Sequence, residues 1–330
     1  MSDLYVITSD ILNPYENLAL EKFLLENVKK GEVFLYLWQN EKTVVCGRNQ
    51  DILSECNVER LIANGGYPAR RLSGGGAVYH DKGNLNFTFL ACEDDYDLDR
   101  QLEVIIKACG YFGISAQKSG RNDLIAGGAK FSGNAFYRAN PNDFADKALR
   151  RCHHGTLMIN VDKEALSAYL NVDKEKYESK GVSSVKSRVC NLSGLSPELD
   201  ASGMKKAMAR AFEEVYKGKA GTFKYTGKGP DGQQLSYIKK ARDFFASKEW
   251  IYKNSLKYNA RFKQRFDTYG IDLRAYVEDG QIKDIWLFSD AMDHEKTIRA
   301  ETALKELKGS SLDFTSISQI LINDVLQSGS

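Results

Sequence analysis

The chain has 330 residues, more than one hydrophobic core normally serves, so its length predicts two domains. Its formal net charge is only +2, with basic and acidic residues interspersed, which argues against a general nucleic-acid binder. The six cysteines include no Cys-x-x-Cys pair, so the sequence predicts neither a disulfide framework nor a zinc site. Because it has no signal-like N-terminus and no apolar run long enough to cross a bilayer, we expect a cytoplasmic protein without a membrane partner.

The N-terminal segment predicts a helix followed by a β-hairpin. Asn13 can cap a helix whose first position suits Pro14, and apolar residues then recur at helical spacing as far as Val28. The apolar segments Val33–Trp38 and Thr43–Arg48 lie on either side of a polar tetrapeptide. They are predicted to pair with each other as a hairpin.

A basic, glycine-rich segment follows at residues 70–81, with the sequence Arg-Arg-Leu-Ser-Gly-Gly-Gly-Ala-Val-Tyr-His-Asp. Consecutive glycines let the backbone approach a ligand and present N–H groups to its oxygens, and arginine adds a permanently charged fork of donors. A strand-like alternation over Leu85–Leu90 follows, so we interpret the segment as an anion-binding loop joined to a hairpin. It lacks the ending of a Walker loop and the helix that follows a dinucleotide fingerprint. The glycine triplet alone would be read as a flexible turn.

A second glycine-rich segment carries an isolated lysine. Gly127-Gly128 is a strong hairpin signal, so Asp123–Ile125 and Lys130–Asn134 are predicted to pair. Lys130 then begins the return strand. Judged by itself, this lysine is an exposed residue after a turn, which is the common fate of lysine.

The remaining sequence predicts a histidine-bearing strand, a core helix and a small C-terminal unit. His153 and His154 are adjacent on the strand and point to opposite faces, which makes them poor joint ligands for one metal. The basic segment 180–189 has the composition of a solvated loop. Residues 217–234 are predicted to be a surface loop, and a domain boundary is expected near Trp250. Beyond it, the sequence predicts a hairpin and two closing helices.

Three of these segments resemble the signatures of the lipoate–protein ligases, a branch of the biotin/lipoate ligase family. They are the run at residues 70–81, the sequence Gly-Arg-Asn-Asp-Leu followed by Lys-x-Ser-Gly-x-Ala within 120–135, and His-His-Gly-Thr-Leu at 153–157. The resemblance covers nearly the whole chain and implies a mixed α+β fold. A catalytic domain of biotin/lipoate ligase type, with central mixed and antiparallel sheets flanked by helices, would occupy residues 1–250. A hinge at 251–257 would join it to a small α+β accessory domain at 258–330.

The resemblance implies an ATP-dependent lipoate–protein ligase. Lipoate would be activated to lipoyl-AMP with ATP and Mg²⁺. The lipoyl group would then pass to a lysine of a lipoyl-acceptor domain, such as a 2-oxoacid dehydrogenase E2 subunit or the glycine cleavage H protein. Two alternatives are an ATP-independent lipoyl or octanoyl transferase of the same fold and a non-catalytic lipoate-binding protein. Transferases of this fold usually lack the C-terminal unit, so residues 258–330 favour the ligase. The sequence leaves open the preferred acceptor, the choice between lipoate and octanoate, and the oligomeric state.

The resemblance also implies roles for individual residues. Lys130 and Arg71 are the implied catalytic residues, Asp123 is the implied Mg²⁺ ligand, and segment 180–189 resembles the loop that folds over the adenylate. The implied ATP and adenylate site consists of Arg71, Gly75, Gly76, Ala77, Val78, Tyr79, Asn122, Asp123 and Lys130. The implied lipoate site consists of Leu18, Trp38, Arg71, Ser73, Gly75, His80, Lys130, Arg138 and His154, with His154 rather than His153 facing it. Val44 is a further candidate for the apolar wall, and Trp38 is expected to close its far end.

Overall fold

A computed structural model describes residues 2–120, 122–171, 189–227, 232–252, 258–265, 269–291, 294–311 and 317. Three sequence predictions lie wholly or mainly outside these residues. They concern the basic segment 180–189, the hinge and the second of the two closing helices. In the part of the chain that the structure describes, no helix is both long and apolar enough to cross a membrane.

The strands form three sheets. They are β1 Asp3–Ser9, β2 Glu32–Trp38, β3 Thr43–Cys46, β4 Tyr67–Arg70, β5 Val78–His80, β6 Asn84–Cys92, β7 Ala116–Ser119, β8 Asp123–Ala126, β9 Ala129–Arg138, β10 Arg150–Met158, β11 Ala220–Tyr225, β12 Ala260–Arg265, β13 Gly270–Glu278 and β14 Gln281–Ser289. An eight-stranded sheet has the order β11-β1-β2-β6-β10-β9-β8-β7, and two three-stranded sheets have the orders β4-β3-β5 and β12-β13-β14.

Helices cover both faces of the large sheet, which confirms the predicted mixed α+β class. The helices are α1 Pro14–Asn27, α2 Ile52–Glu55, α3 Val58–Ala63, α4 Leu98–Gly110, α5 Lys163–Tyr169, α6 Ala201–Tyr216, α7 Gly232–Ala246, α8 Lys248–Ile251 and α9 His294–Lys305. One apolar core joins α4 and α6 to one face of the large sheet, and a second joins α1 and α7 to the other face. The C-terminal sheet and α9 share a separate core.

Local sequence signals determine several of these elements as predicted. The side chain of Asn13 accepts hydrogen bonds from the backbone N–H groups of Tyr15 and Glu16, and Pro14 occupies the first turn of α1. Gly127 and Gly128 both have positive φ and connect β8 to β9 in the predicted pairing. Asp279 likewise has a positive φ in the turn between β13 and β14.

The two predicted hairpins of the N-terminal half are wrong. β2 pairs with β1 and β6 in the large sheet, whereas β3 pairs with β4 and β5 in the small one. β5 and β6 are likewise divided between the two sheets. Alternation in a strand predicts which side chains share a face and says nothing about which strand lies beside it. Between β2 and β3 the chain passes from the large sheet to the small one, and there the buried side-chain amide of Asn40 bonds to Asn17 and His80. These bonds fix the corner between the two sheets.

Two further predictions in the C-terminal half are corrected. Residues 220–225, assigned to a loop, form the edge strand β11, which runs parallel to β1 and exposes most of its side chains. The helical spacing over Ser236–Ser247 predicts that Ile238, Ala241, Phe244 and Phe245 face inward. Ile238, Ala241 and Phe245 of α7 are buried, whereas Phe244 is 41% exposed. An edge strand with solvent on both sides has no apolar alternation to reveal it.

Candidate functional site

A cavity of about 150 Å³ lies between the two sheets of the N-terminal part, beneath α1. Its walls come from α1, from β2, β6, β9 and β10 of the large sheet, from β3 and β5 of the small sheet, and from the glycine-rich loop. The lining residues are Leu18, Trp38, Val45, Arg71, Gly76, Ala77, Val78, His80, Asn86, Asn122, Lys130, Gly133, Asn134, Ala135, His154, Gly155 and Thr156. The cavity therefore combines apolar walls with two cationic side chains.

The Arg71 guanidinium determines the shape of the glycine-rich loop. Its Nε donates to Ser73 Oγ (3.0 Å), and its Nη2 donates to the carbonyls of Gly74 and Gly76 (2.7 and 2.8 Å). Its Nη1 donates to the Val45 carbonyl (3.0 Å). Among the described residues these bonds use four of the five N–H groups of the side chain and leave one for a ligand. Burial lowers the pKa of Arg71 to about 10, which still leaves it charged at neutral pH.

The neighbouring Arg70 points away from the cavity and has a different task. Its side chain is fully buried, and all its hydrogen bonds to the described residues go to backbone carbonyls, on one side those of Gly47, Arg48 and Gln50 and on the other those of Trp250 and Ile251. The sequence alone gives the two adjacent arginines equal claim to a ligand. Their alternation on an extended chain directs one into the cavity and the other into the protein.

Lys130 and Asp123 lie side by side at the polar end of the cavity. The Nζ atom of Lys130 is 2.6 Å from Asp123 Oδ1, and both side chains are roughly one-third exposed. The lysine stem packs over Gly133, where a Cβ atom would lie only 3.2 Å from Nζ. The absence of a side chain at Gly133 thus gives the lysine its room. The ammonium and carboxylate are both accessible to an incoming ligand.

A buried polar chain supports Asn122, which precedes Asp123. The Nε2 of His153 contacts Asn134 Oδ1 (2.8 Å), and its Nδ1 contacts Gln101 of α4 (3.0 Å). Asn134 donates in turn to the Asn122 carbonyl from both its side-chain and backbone nitrogens (2.9 and 2.8 Å). Burial lowers the pKa of His153 to about 3, so its imidazole is neutral at ordinary pH. His153 therefore serves the site from behind, whereas His154 lines the cavity.

His80 lines the cavity and carries a buried donor nitrogen. Asn40 Oδ1 accepts a bond from Asn17, so the Asn40 amide nitrogen is the atom that faces His80 Nδ1 at 3.2 Å. His80 Nδ1 is thus an acceptor, and its proton lies on Nε2, which is buried and has no partner among the described residues. Burial, and next the charge of Arg71, lower the pKa of His80 to about 3. The Nδ2 atom of Asn86 is a second such donor in the same cavity.

The structure brings ten of the implied site residues to the cavity wall: Leu18, Trp38, Arg71, Gly76, Ala77, Val78, His80, Asn122, Lys130 and His154. Asp123 contacts Lys130, and Ser73 lies one layer behind His154 at 2.6 Å. Tyr79 is turned away, because Val78 and His80 flank it on the same strand, and its ring packs against Tyr169. Gly75 and Arg138 are also absent from the wall, and Arg138 is exposed at the end of β9.

Sequence reasoning chose the wrong neighbour on β3 and missed polar wall residues. Val45 lines the cavity, while Val44 is buried in the core on the other side of the small sheet. The polar residues that were missed are Asn86, Asn134 and Thr156. Asn86 and Thr156 are directly paired on β6 and β10, a contact that only the sheet register reveals.

The C-terminal sheet touches the segments that surround the glycine-rich loop. The Arg274 guanidinium is buried and pairs with Asp51 (2.6 Å) and with Ser54 Oγ (3.0 Å). Beyond the end of β14, the Ala291 carbonyl accepts a long hydrogen bond from the Gly75 N–H (3.4 Å). A backbone donor of the loop thus contacts the C-terminal unit.

Comparisons with known proteins agree with this geometry. Residues 13–213 match the family model of the lipoyl protein ligase A/B catalytic domain, and residues 255–327 match that of the bacterial lipoate protein ligase C-terminus. The chain is 38% identical to lipoate-protein ligase A of Bdellovibrio bacteriovorus, over 88% of this chain and 84% of that protein. It is 34% identical to lipoate-protein ligase A of Psychrobacter cryohalolentis, over 92% and 88%. The crystal structure of P. falciparum LipL1 in complex with lipoate superposes with a TM-score of 0.77 at 28% identity, covering 96% of this chain and 94% of that one.

Proposed function

The chain belongs to the lipoyl protein ligase A/B family, and on that premise we propose that it is an ATP-dependent lipoate–protein ligase. The lipoate carboxylate attacks the α-phosphate of ATP, which gives lipoyl-AMP and releases pyrophosphate. A lysine amine of a lipoyl-acceptor domain then attacks the acyl carbon, which gives an amide and releases AMP. The relatives are named as ligases for lipoate, and one neighbour was crystallised with lipoate.

The observation that carries the proposal is the convergence of Lys130 and Arg71 on one cavity that also has an apolar wall. The first step joins two anions, so it requires fixed positive charge where their oxygens approach, and such stabilisation is often the largest catalytic contribution. Lys130 has a flexible stem and three donors, which suits it to bridge a carboxylate and a phosphate. Arg71 keeps one N–H for the ligand. Leu18 and Val78 provide apolar contact for an alkyl chain.

Acid and amide groups beside Lys130 fit the nucleotide end of the reaction. Mg²⁺ in nucleotide sites commonly takes one or two protein carboxylates together with phosphate oxygens, and Asp123 offers one such carboxylate within contact of Lys130. Bound Mg²⁺ would neutralise charge on the phosphates. Asn122, held in place by Asn134, offers a side-chain amide to the same region. In this structure Lys130 is paired with Asp123. We infer that Lys130 leaves this ion pair and contacts the α-phosphate of ATP and the carboxylate of lipoate when both substrates bind.

The test is lipoate-dependent exchange of pyrophosphate into ATP, measured with the wild type, Lys130→Ala and Lys118→Ala. Lys118 is a matched control because it is an exposed lysine on β7, paired with Asp99 at the edge of the same sheet. We expect exchange by the wild type and by Lys118→Ala, and a loss of at least a hundredfold in Lys130→Ala. Absence of exchange by the wild type, with acyl transfer from a carrier protein instead, would favour a transferase. Full exchange by a folded Lys130→Ala would remove the lysine from the mechanism.

A further inference from the structure

A continuous chain of hydrogen bonds runs beneath the cavity and meets at one carboxylate oxygen. On one branch, Ser73 Oγ contacts His154 Nε2 (2.6 Å), and His154 Nδ1 contacts Glu21 Oε1 (2.8 Å). On the other, Thr88 Oγ1 donates to the same oxygen of Glu21 (2.7 Å) and accepts from Trp38 Nε1 (3.1 Å). Glu21 is only 4% exposed, lies on α1 and does not line the cavity itself.

The direction of the first branch follows from the donors available. Ser73 Oγ already accepts from Arg71 Nε, so its own proton is free to be donated. Of its two acceptors, His154 Nε2 lies at 2.6 Å and the Gly74 carbonyl at 3.5 Å, so the proton goes to the histidine. An Nε2 atom that accepts requires the imidazole proton on Nδ1, where it donates to Glu21. Every bond from Arg71 to Glu21 therefore points the same way, and the carboxylate is the final acceptor.

A metal ion is a poor alternative occupant of this cluster. Cys152 joins Glu21 and His154 in a group of potential ligand atoms that lie within 4.8 Å of one another. However, both ring nitrogens of His154 are engaged in short hydrogen bonds, so neither offers a lone pair to a metal. Burial raises the pKa of the Cys152 thiol well above its usual range, which disfavours the thiolate that a metal needs.

We propose that Glu21 is a positioning residue for adenylation. Its carboxylate fixes the Nδ1–H tautomer of His154, so that Nε2 accepts from the Ser73 hydroxyl. Ser73 Oγ itself accepts from Arg71 Nε and fixes the guanidinium. Arg71 in turn fixes the loop through the carbonyls of Gly74 and Gly76. Orientation of a charged donor by an outer layer of hydrogen bonds is a general requirement of precise sites. This inference rests on the proposed function, because its kinetic consequence concerns the adenylation step.

A double-mutant cycle tests whether Glu21 acts through Ser73. Glu21→Met keeps the length of the side chain and removes the acceptor, whereas Glu21→Gln keeps an oxygen that can accept from both His154 and Thr88. We expect kcat for lipoate-dependent exchange to fall at least tenfold in Glu21→Met and in Ser73→Ala, and to stay within threefold of wild type in Glu21→Gln. The double variant should lie within threefold of the slower single variant, because both changes break one chain. Losses that multiply would overturn the proposal, since Glu21 would then act independently of Ser73.

Two further measurements separate this role from simple packing. Thr88→Val breaks only the branch toward Trp38, so we expect a higher KM for lipoate with kcat within threefold. A fall in kcat as large as that of Glu21→Met would show that the link from Glu21 to Ser73 is not the relevant one. The ¹⁵N NMR shifts of the His154 ring, assigned by comparison with His154→Gln, should show Nδ1 protonated and Nε2 unprotonated in the wild type and in Glu21→Gln. A protonated Nε2 in the wild type would overturn the proposal even if Glu21→Met failed to fold. This spectrum needs no catalysis, so an inactive wild type that keeps the Nδ1–H tautomer would refute the proposed function alone.

Discussion

Arg70 offers a direct test of how the glycine-rich loop is supported. Its guanidinium has no exposed surface and bonds to five different carbonyls, three at residues 47–50 and two at the end of α8. In return, its own carbonyl accepts from the indole N–H of Trp250 (2.9 Å). The side chain thus fastens α8 to the strand from which the loop begins. We predict that Arg70→Lys destabilises the protein although the charge is conserved.

The magnitude follows from a count of donors. The Gly47 carbonyl also accepts from the Gln50 N–H, so four of the five carbonyls depend on Arg70. An ammonium has three N–H donors on one atom, so it leaves at least one of these four without a partner. A buried carbonyl that loses its partner costs about 1–3 kcal/mol, which is the smallest expected loss in the free energy of unfolding. With a urea m value of about 3 kcal/mol/M, the midpoint of unfolding should fall by about 0.3–1 M or more.

The assay is equilibrium urea unfolding followed by tryptophan fluorescence, to which Trp250 beside Arg70 contributes. Arg60→Lys is the matched control, because Arg60 is exposed on α3 and the same substitution there should change the free energy of unfolding by less than about 0.5 kcal/mol. If the two variants had the same midpoint, the five bonds to carbonyls would contribute nothing beyond what water supplies to them in the unfolded chain. The reasoning would then be refuted.

Two further predictions concern the cavity and the buried histidines. Trp38→Val should admit bulkier carboxylic acids in the exchange assay while raising KM for lipoate, since Trp38 is a buried wall residue; a variant that accepts no larger acid would make Trp38 a core residue only. The pKa of His153 is about 3 in the folded protein, lower than its value of 6.5 in the unfolded chain. Below pH 6.5 the unfolded chain therefore binds one more proton, and the free energy of unfolding falls as the pH drops. Between pH 6 and 4, the free energy of unfolding should therefore change by about 1.4 kcal/mol less per pH unit in His153→Gln than in the wild type, as measured by urea unfolding. The same pH dependence in both proteins would mean that His153 titrates normally.

The parts of the fold that the sequence predicts correctly are those decided over a few residues. The Asn13 cap, the Gly127-Gly128 turn and the buried stripe of α6 each depend on groups within one or two turns of chain. The choice of partner strand depends on contacts far apart in sequence, and the hairpins assigned on either side of residues 39–42 and 81–83 were wrong for that reason. The error carried into the site, where Val44 was chosen over Val45.

The site was predictable where residues line the cavity and unpredictable where they support those residues from behind. Lys130, Arg71 and His154 lie in recognisable segments and do line the cavity. Glu21 has no such mark, because one acidic residue on an amphipathic helix is normally a solvated one. Its burial follows from contacts with Thr88 and His154, which are 67 and 133 residues away. Such supporting layers become visible only once the sheets are assembled.

The last prediction concerns the C-terminal unit, for which we expect a part in the first half-reaction because it contacts the loop. Its Arg274 is a buried ion-pair partner of Asp51, and its Ala291 carbonyl holds the Gly75 N–H. Adenylation must gather two anions and exclude water, which favours a closed site, whereas transfer must admit a whole acceptor domain. We therefore expect removal of all residues after Tyr252, which spares the bonds from α8 to Arg70, to affect the two steps unequally.

A chain that ends at Tyr252 should lose at least tenfold in lipoate-dependent pyrophosphate exchange. Transfer from presynthesised lipoyl-AMP to an acceptor lysine should stay within about threefold, because Arg71 and Lys130 remain in place. Arg274→Met, in the full-length chain, should shift the balance in the same direction, since it removes the ion pair between Arg274 and the buried Asp51 carboxylate and loosens the contact. Both activities are measured on protein that circular dichroism shows to be folded. Equal losses in the two steps would reduce the C-terminal unit to a stabilising appendage, and loss of transfer with intact exchange would reverse its assigned role.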